Sequence, residues 1–212
     1  MAALTVSAKA LAQVPYAANF NTGAAAGPEW SFTTIDTTPS GQRYLGQLGA
    51  GTVTLNLGVQ PAGSYTLAFD FYAIQSLDGN GPAGGGPDNF QFTANGTNLF
   101  LTNFDNFASS GQAYPQQLAP FGPGGANPAG TGAIATNSLG YSFGGALFAD
   151  ATYAFSLTYA HTGGNLSFGF TSFQNQPIGD EGWGLDNVSV VPAPTSAAAL
   201  GLLLAAGIRR RR

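Results

Sequence analysis

The side chains best suited to chemistry are acids and amides gathered in two places. Asp78-Gly79-Asn80 and Asp88-Asn89 bracket one glycine-rich loop, and Asp180-Glu181-Gly182-Trp183-Gly184-Leu185-Asp186-Asn187 lies near the end of the polar body. A hard divalent cation such as calcium takes about six to eight oxygens from Asp, Asn, Glu and backbone carbonyls, and flexible loops deliver them. Asp78, Asn80, Asp88 and Asp186 are therefore expected to converge on a calcium ion, with Glu181 as an additional ligand. On the competing reading, Asp-Gly and Asp-Asn pairs are ordinary turn formers and the same acids cap loop amides. Asp78-x-Asn80 is not a full EF-hand, because the third acidic position and the terminal glutamate are missing.

The charge distribution favours an external partner for these acids. The 212 residues include six Lys and Arg, ten Asp and Glu, one His and no Cys. Five of the six cations sit at the ends, as Lys9 and Arg209, Arg210, Arg211 and Arg212. Between them Arg43 alone faces all ten acids, a formal charge of −9. Carboxylates with so few partners must be solvated, bonded to backbone amides, or paired with a cation from outside. The same numbers exclude a nucleic-acid interface, which needs a basic surface. Without cysteine there is no disulfide framework, thiol nucleophile or thiolate zinc site. The single histidine, His161, excludes multi-histidine metal sites. No Gly-x-Ser-x-Gly elbow accompanies it, and it reads as a hydrogen-bonded residue at a strand end.

Three functional readings remain. Trp183, Tyr72, Tyr114 and Tyr141 can stack on sugar rings, with Asn187 and the loop acids and amides for hydroxyls, as in a non-catalytic carbohydrate-binding module. A passive surface or matrix protein with no defined ligand is the second. The third is a glycosidase using Asp180, Glu181 and Asp186, which requires two carboxyl groups roughly 5 to 10 Å apart across a sugar cleft. The first is the expectation carried forward.

These residues must be positioned by strands. Apolar and polar residues alternate at Val53–Leu57, Tyr65–Phe71, Phe90–Phe92, Tyr153–Tyr159 and Leu166–Phe170, the period of half-buried strands. Leu99–Asn103, Trp30–Ile35 and Gly184–Val191 bring the expected count to about eight. Pro61-Ala62-Gly63 and Thr162-Gly163-Gly164 mark turns. Many short strands with such punctuation predict an all-β, jelly-roll-like β-sandwich. In the last strand Trp183 and Leu185 share one phase and Val188 and Val190 the other, which predicts a β-bulge at Asp186-Asn187. Residues 76–89 and 105–150 depart from strand pattern and are expected to be long loops.

The ends carry a different message. Ala10-Leu11-Ala12 is a small-x-small cleavage pattern, so residues 1–12 read as the remnant of a secretory signal and 13–190 as the exported domain. At the other end Val191, Pro192, Ala193 and Pro194 form an extended break, Ala197–Ile208 is an apolar run, and four arginines follow. The 14 residues from Thr195 to Ile208 span about 21 Å as a helix, short of the roughly 30 Å hydrocarbon core. Arginines after an apolar helix suit both the helix dipole and the positive-inside rule.

Residues 191–212 resemble the PEP-CTERM sorting signal of Gram-negative bacteria, with Ala193 at the position usually held by glutamate. The resemblance implies recognition by an exosortase at the inner membrane, removal of the hydrophobic helix, and delivery to the cell surface or an exopolysaccharide and biofilm matrix. The stretch Phe69–Asn80, with Gly86-Pro87-Asp88, Ala160-His161-Thr162 and Asp180–Val190, resembles a jelly-roll ectodomain common among proteins with this signal, with Leu77 where a tryptophan is usual. That likeness implies a fold and an exported location, and no particular activity.

Overall fold

The computed structural model describes residues 16–23, 25–81, 85–108 and 110–193. The expected signal remnant, the apolar run, Pro194 and the arginine cluster lie outside the described residues. Among the described residues there are eleven strands: β1 (Tyr16–Ala18), β2 (Ile35–Thr37), β3 (Arg43–Leu48), β4 (Gly51–Gln60), β5 (Gly63–Gln75), β6 (Asn89–Ala94), β7 (Thr97–Asn103), β8 (Ala135–Thr136), β9 (Asp150–His161), β10 (Gly164–Ser172) and β11 (Glu181–Pro192). Among the described residues there is no helix, and none long and apolar enough to cross a membrane.

The strands pair antiparallel into two sheets. Seven strands run in the order β2-β3-β11-β5-β9-β8, with β1 also on β11, and four in the order β4-β10-β6-β7. The first and last strands therefore meet, with Tyr16 opposite Val190. The expected all-β sandwich is present, and its core lies between the sheets. Alternation along β5 sends Leu67, Phe69 and Phe71 inward, where they meet Phe90, Phe92, Phe168 and Phe170 from the smaller sheet. Phe69 stacks on Phe155 at 5.0 Å and meets Phe92 edge-on at 4.9 Å. Each such side chain contributes about 1.5–3 kcal/mol by leaving water.

Three features differ from the pattern-based expectation. Pro61-Ala62 and Thr162-Gly163 join strands of different sheets, because β4 and β10 belong to the small sheet and β5 and β9 to the large one. Alternation reads the same whether the chain folds back within one sheet or arches to the next. Trp30–Ile35 is not a regular strand: Trp30 and Thr34 make isolated bridges to Leu55 and Ala25, the Trp30 side chain is buried, and continuous ladder pairing begins at Ile35. β3 escapes the alternation rule because Tyr44, Leu45, Gly46 and Leu48 are all buried. Its outer face is covered by the long loop, where Leu139 and Tyr141 pack on Tyr44, Tyr72 and Ile74.

The expected bulge is present. Between Asp186 and Ser189 the pairing slips by one residue against Asp70 and Ala68 of β5. Asn187 adopts φ 50°, and Trp183, Leu185, Val188 and Val190 are all buried despite their opposite phases. β11 continues beyond the slip: Val191 pairs with Thr66, Pro192 with Tyr65, and the Ala193 N–H donates to the Ser64 carbonyl at 2.8 Å. The first part of the extended break is thus sheet.

Candidate functional site

The arches at Pro61-Ala62 and Thr162-Gly163 occupy one end of the sandwich. At the other end β5 and β10 finish and β6 and β11 begin, beside the described residues of the connections that follow β5, β7 and β10. Asp78 follows β5, Asp88 immediately precedes β6, and Glu181 opens β11. One oxygen from each lies within 4.8 Å of the other two, and all three residues are buried. Gly79 permits this approach: its φ is +60°, and a Cβ there would stand 2.2 Å from the Gly111 carbonyl oxygen. The Asp78 N–H donates to Asp88 Oδ2 at 2.6 Å, and the Gln176 N–H to Glu181 Oε2 at 3.2 Å. Asp88 Oδ1 and Glu181 Oε1 are buried with no hydrogen-bond partner.

Burial holds all three carboxyls above their usual range. For Glu181 the negative charge of Asp88 adds to desolvation. For Asp88 desolvation outweighs the opposing Asp78 N–H and a hydrogen bond with the Glu181 carboxyl, and Asp78 and Asp180 add repulsion. For Asp78 desolvation is followed by the charges of Asp105 and Asp180. Close like charges in a low-dielectric pocket cannot all stay ionised unless something positive sits among them.

Two of the expected ligands are elsewhere. Asp186 lies on the outer face of the large sheet, where Oδ2 accepts from the Tyr72 hydroxyl at 3.0 Å and the Gln42 amide at 3.1 Å, and Oδ1 from the Asn187 N–H at 2.8 Å. Strand phase turns it away from Asp88. Asn80 is near the acids but committed to an amide network: its Nδ2 donates to the Gly125 carbonyl at 2.7 Å and its Oδ1 accepts from Asn103 at 2.9 Å. Glu181, expected as an additional ligand, is instead a full member of the cluster. The glycosidase pairing of Glu181 with Asp186 fails for the same reason, since the two face opposite sides of one sheet.

The expected sugar platforms are also displaced. Tyr72 and Trp183 are each 1% exposed. Trp183 fills the core and its Nε1–H donates to the Gly49 carbonyl, while Tyr72 is held by Asp186. Tyr114 packs against the core, and the Tyr141 hydroxyl pairs with that of Tyr44 at 2.6 Å. Asn187 is exposed and lines a separate cleft of about 460 Å³ with Tyr16, Phe20 and Glu29, none of them a member of the acidic cluster. His161 is buried at the end of β9, its Nε2 3.1 Å from the Gly164 carbonyl, as expected.

Beside the acidic cluster lies an open groove of about 350 Å³, lined by Asn80, Asn89, Asn103, Pro87, Leu101, Leu118 and Ala119. Asn103 donates to both Asn80 and Asn89. Two exposed phenylalanines are tied through their backbones to residues of its lining. Phe173, 53% exposed, donates its N–H to the Asn89 carbonyl, and Phe121, 49% exposed, donates to the Leu118 carbonyl. Neither is among the aromatics that the sequence singles out. The available signal was an aromatic in a Gly/Pro/Gln loop with no core phase to fill.

No family model matches the chain, and no curated protein matches it. Among solved structures it is similar to a family 35 carbohydrate-binding module from Clostridium thermocellum, at 15% identity over 85% of this chain and 99% of that one, with a TM-score of 0.38. It is also similar to the C-terminal family 6 module of a marine laminarinase from Zobellia galactanivorans, at 11% identity over 84% and 99%, with a TM-score of 0.39. The Agl-KA catalytic domain matches at 13% identity over 89% of this chain and 30% of that one, with a TM-score of 0.35. The fold assignment rests on the strand pairing of this chain itself.

Proposed function

We propose that this protein is an exported, non-catalytic module of the cell surface or extracellular matrix that associates with polysaccharide. The observation that carries the reading is the amide-lined groove, whose lining residues Leu118 and Asn89 accept the backbone N–H groups of the exposed Phe121 and Phe173. Sugar recognition combines apolar faces for stacking with neutral hydrogen-bonding groups for hydroxyls, and amide side chains offer both donors and acceptors. The exported location is supported by the tripartite resemblance of residues 191–212, with an exosortase as processing partner and the inner membrane as a transient stop.

Electrophoresis of the full chain through gels containing soluble polysaccharides tests the reading. At least one polysaccharide should retard it, and Phe121→Ala with Phe173→Ala should remove the retardation without lowering the melting temperature. An Asn187→Ala variant that loses retardation instead would move the site to the Tyr16–Glu29 cleft. The burial of Tyr72 and Trp183 favours the second reading, a passive matrix protein, and retardation by none of the polysaccharides would select it.

A further inference from the structure

We propose that Asp78, Asp88 and Glu181 bind a calcium ion that ties the two sheets together at the loop end of the sandwich. The inference does not depend on what occupies the neighbouring groove.

The first observation is convergence. Three carboxylates, two from the ends of one loop and one from the start of β11, place oxygens within 4.8 Å of one another in a buried site. Oxygens at that spacing fit around an ion whose oxygen distances are about 2.3–2.6 Å. The donors are all oxygen, with no nitrogen or sulfur, which selects a hard cation.

The second observation is independent of the first. Asp88 and Glu181 are each 0% exposed, and Asp88 Oδ1 and Glu181 Oε1 have no hydrogen-bond partner. This chain satisfies other buried carboxylates by a different route. Asp105, also 0% exposed, accepts the N–H groups of Phe107, Ala108, Ser110 and Gly111. Asp150 accepts those of Ser138, Leu139 and Tyr141. At the cluster, amides reach one oxygen of Asp88 and one of Glu181, and no donor reaches the other. A buried polar atom left so keeps its full desolvation penalty.

A single proton shared between Asp88 and Glu181 would satisfy two of the carboxyls and leave Asp78 against them. A divalent cation satisfies all three. Arg43, the one Lys or Arg among the described residues, is committed to the Gly23 carbonyl. The cation must then come from solution. Because Glu181 begins a strand of the large sheet and Asp88 leads into a strand of the small one, the ion would join the sheets directly.

The test uses the full chain, stripped with EDTA and then melted with calcium chloride or with chelator at neutral pH. An ion that binds only the folded state should raise the midpoint by about 5–10 °C at a hundredfold excess over its dissociation constant. Terbium should bind the same site, with emission sensitised through nearby Trp183 and displaced by calcium. Glu181→Gln and Asp88→Asn should each lose the calcium shift, while Asp186→Asn should keep it. If Glu181→Gln fails to fold, Asp88→Asn and the terbium titration of the unaltered chain still decide. Equal midpoints in calcium and EDTA with no terbium emission would overturn the proposal and leave a proton-sharing cluster. A full calcium shift retained in both variants would overturn it as well.

Discussion

Glu181 and Asp186 lie on the same strand and face opposite sides of the seven-stranded sheet. Their backbone partners on β5, Gln75 and Asp70, keep one uninterrupted register between them. An odd spacing of five residues in extended chain reverses the side-chain direction. Glu181 consequently meets Asp88 under the loops, and Asp186 meets Tyr72 and Gln42 on the outer face. The two acids have separate jobs, and variants should separate them.

Asp186→Ala should destabilise the fold by about 2–4 kcal/mol. It removes three hydrogen bonds and leaves the buried Tyr72 hydroxyl without its acceptor. Urea unfolding of the variant, with calcium and with EDTA, measures this. The loss should be the same in both conditions. A loss confined to calcium would place Asp186 in the cation site after all.

The pH dependence should run opposite to ordinary acid denaturation. A carboxyl whose pKa is raised by folding contributes stability at low pH, and that contribution is lost as pH rises through the folded-state value. Burial, with the charge of Asp88, pushes Glu181 up to about 8, and burial raises Asp88 as well. In EDTA, stability should therefore fall as pH rises from about 5 to about 8. Melts of Glu181→Gln, which cannot ionise there, should show a flatter profile over that window. Parallel profiles for the two proteins would show that the cluster does not titrate in this range. With calcium present the wild-type slope should reverse, since protons and the ion compete for the same oxygens.

Phe71 is the central ring of the core: it stacks on Phe104 at 4.7 Å and on Trp183 at 6.0 Å, and meets Phe90 edge-on at 4.8 Å. Phe71→Ala should cost about 3–5 kcal/mol, combining lost transfer energy with the cavity left behind. A denaturant midpoint shifted at constant slope would report it. A loss below about 1 kcal/mol would mean that the two sheets close over the gap.

Asn187 tests the bulge. Its φ of 50° lies in the left-handed region, and its amide donates to Asp70 Oδ2 at 2.7 Å. The side chain is exposed, so backbone effects dominate. Asn187→Val should cost about 1–2 kcal/mol and Asn187→Gly much less. Equal stabilities for the two variants would remove the conformational argument.

The strands that shape the core were readable without coordinates because β4, β5, β6, β9 and β10 each bury one face, and half-burial writes itself as alternation. The bulge was readable for the same reason: Trp183 and Val188 both had to be buried, and only an extra residue reconciles their phases. The cation-binding reading was half legible. Scarce positive charge marked the carboxylates as needing outside partners, yet nothing in their spacing distinguished Asp88 and Glu181 from Asp186. That distinction came from tertiary structure. Strand register decides which face an acid takes, and sheet-to-sheet packing brings a loop acid such as Asp88 beside a strand acid 93 positions later. The same packing buried Tyr72 and Trp183, since an aromatic ring fills a core as readily as it stacks on a sugar. Which sheet each strand joined, and therefore what stood across from it, was decided by pairings between residues distant in sequence, which local pattern does not encode.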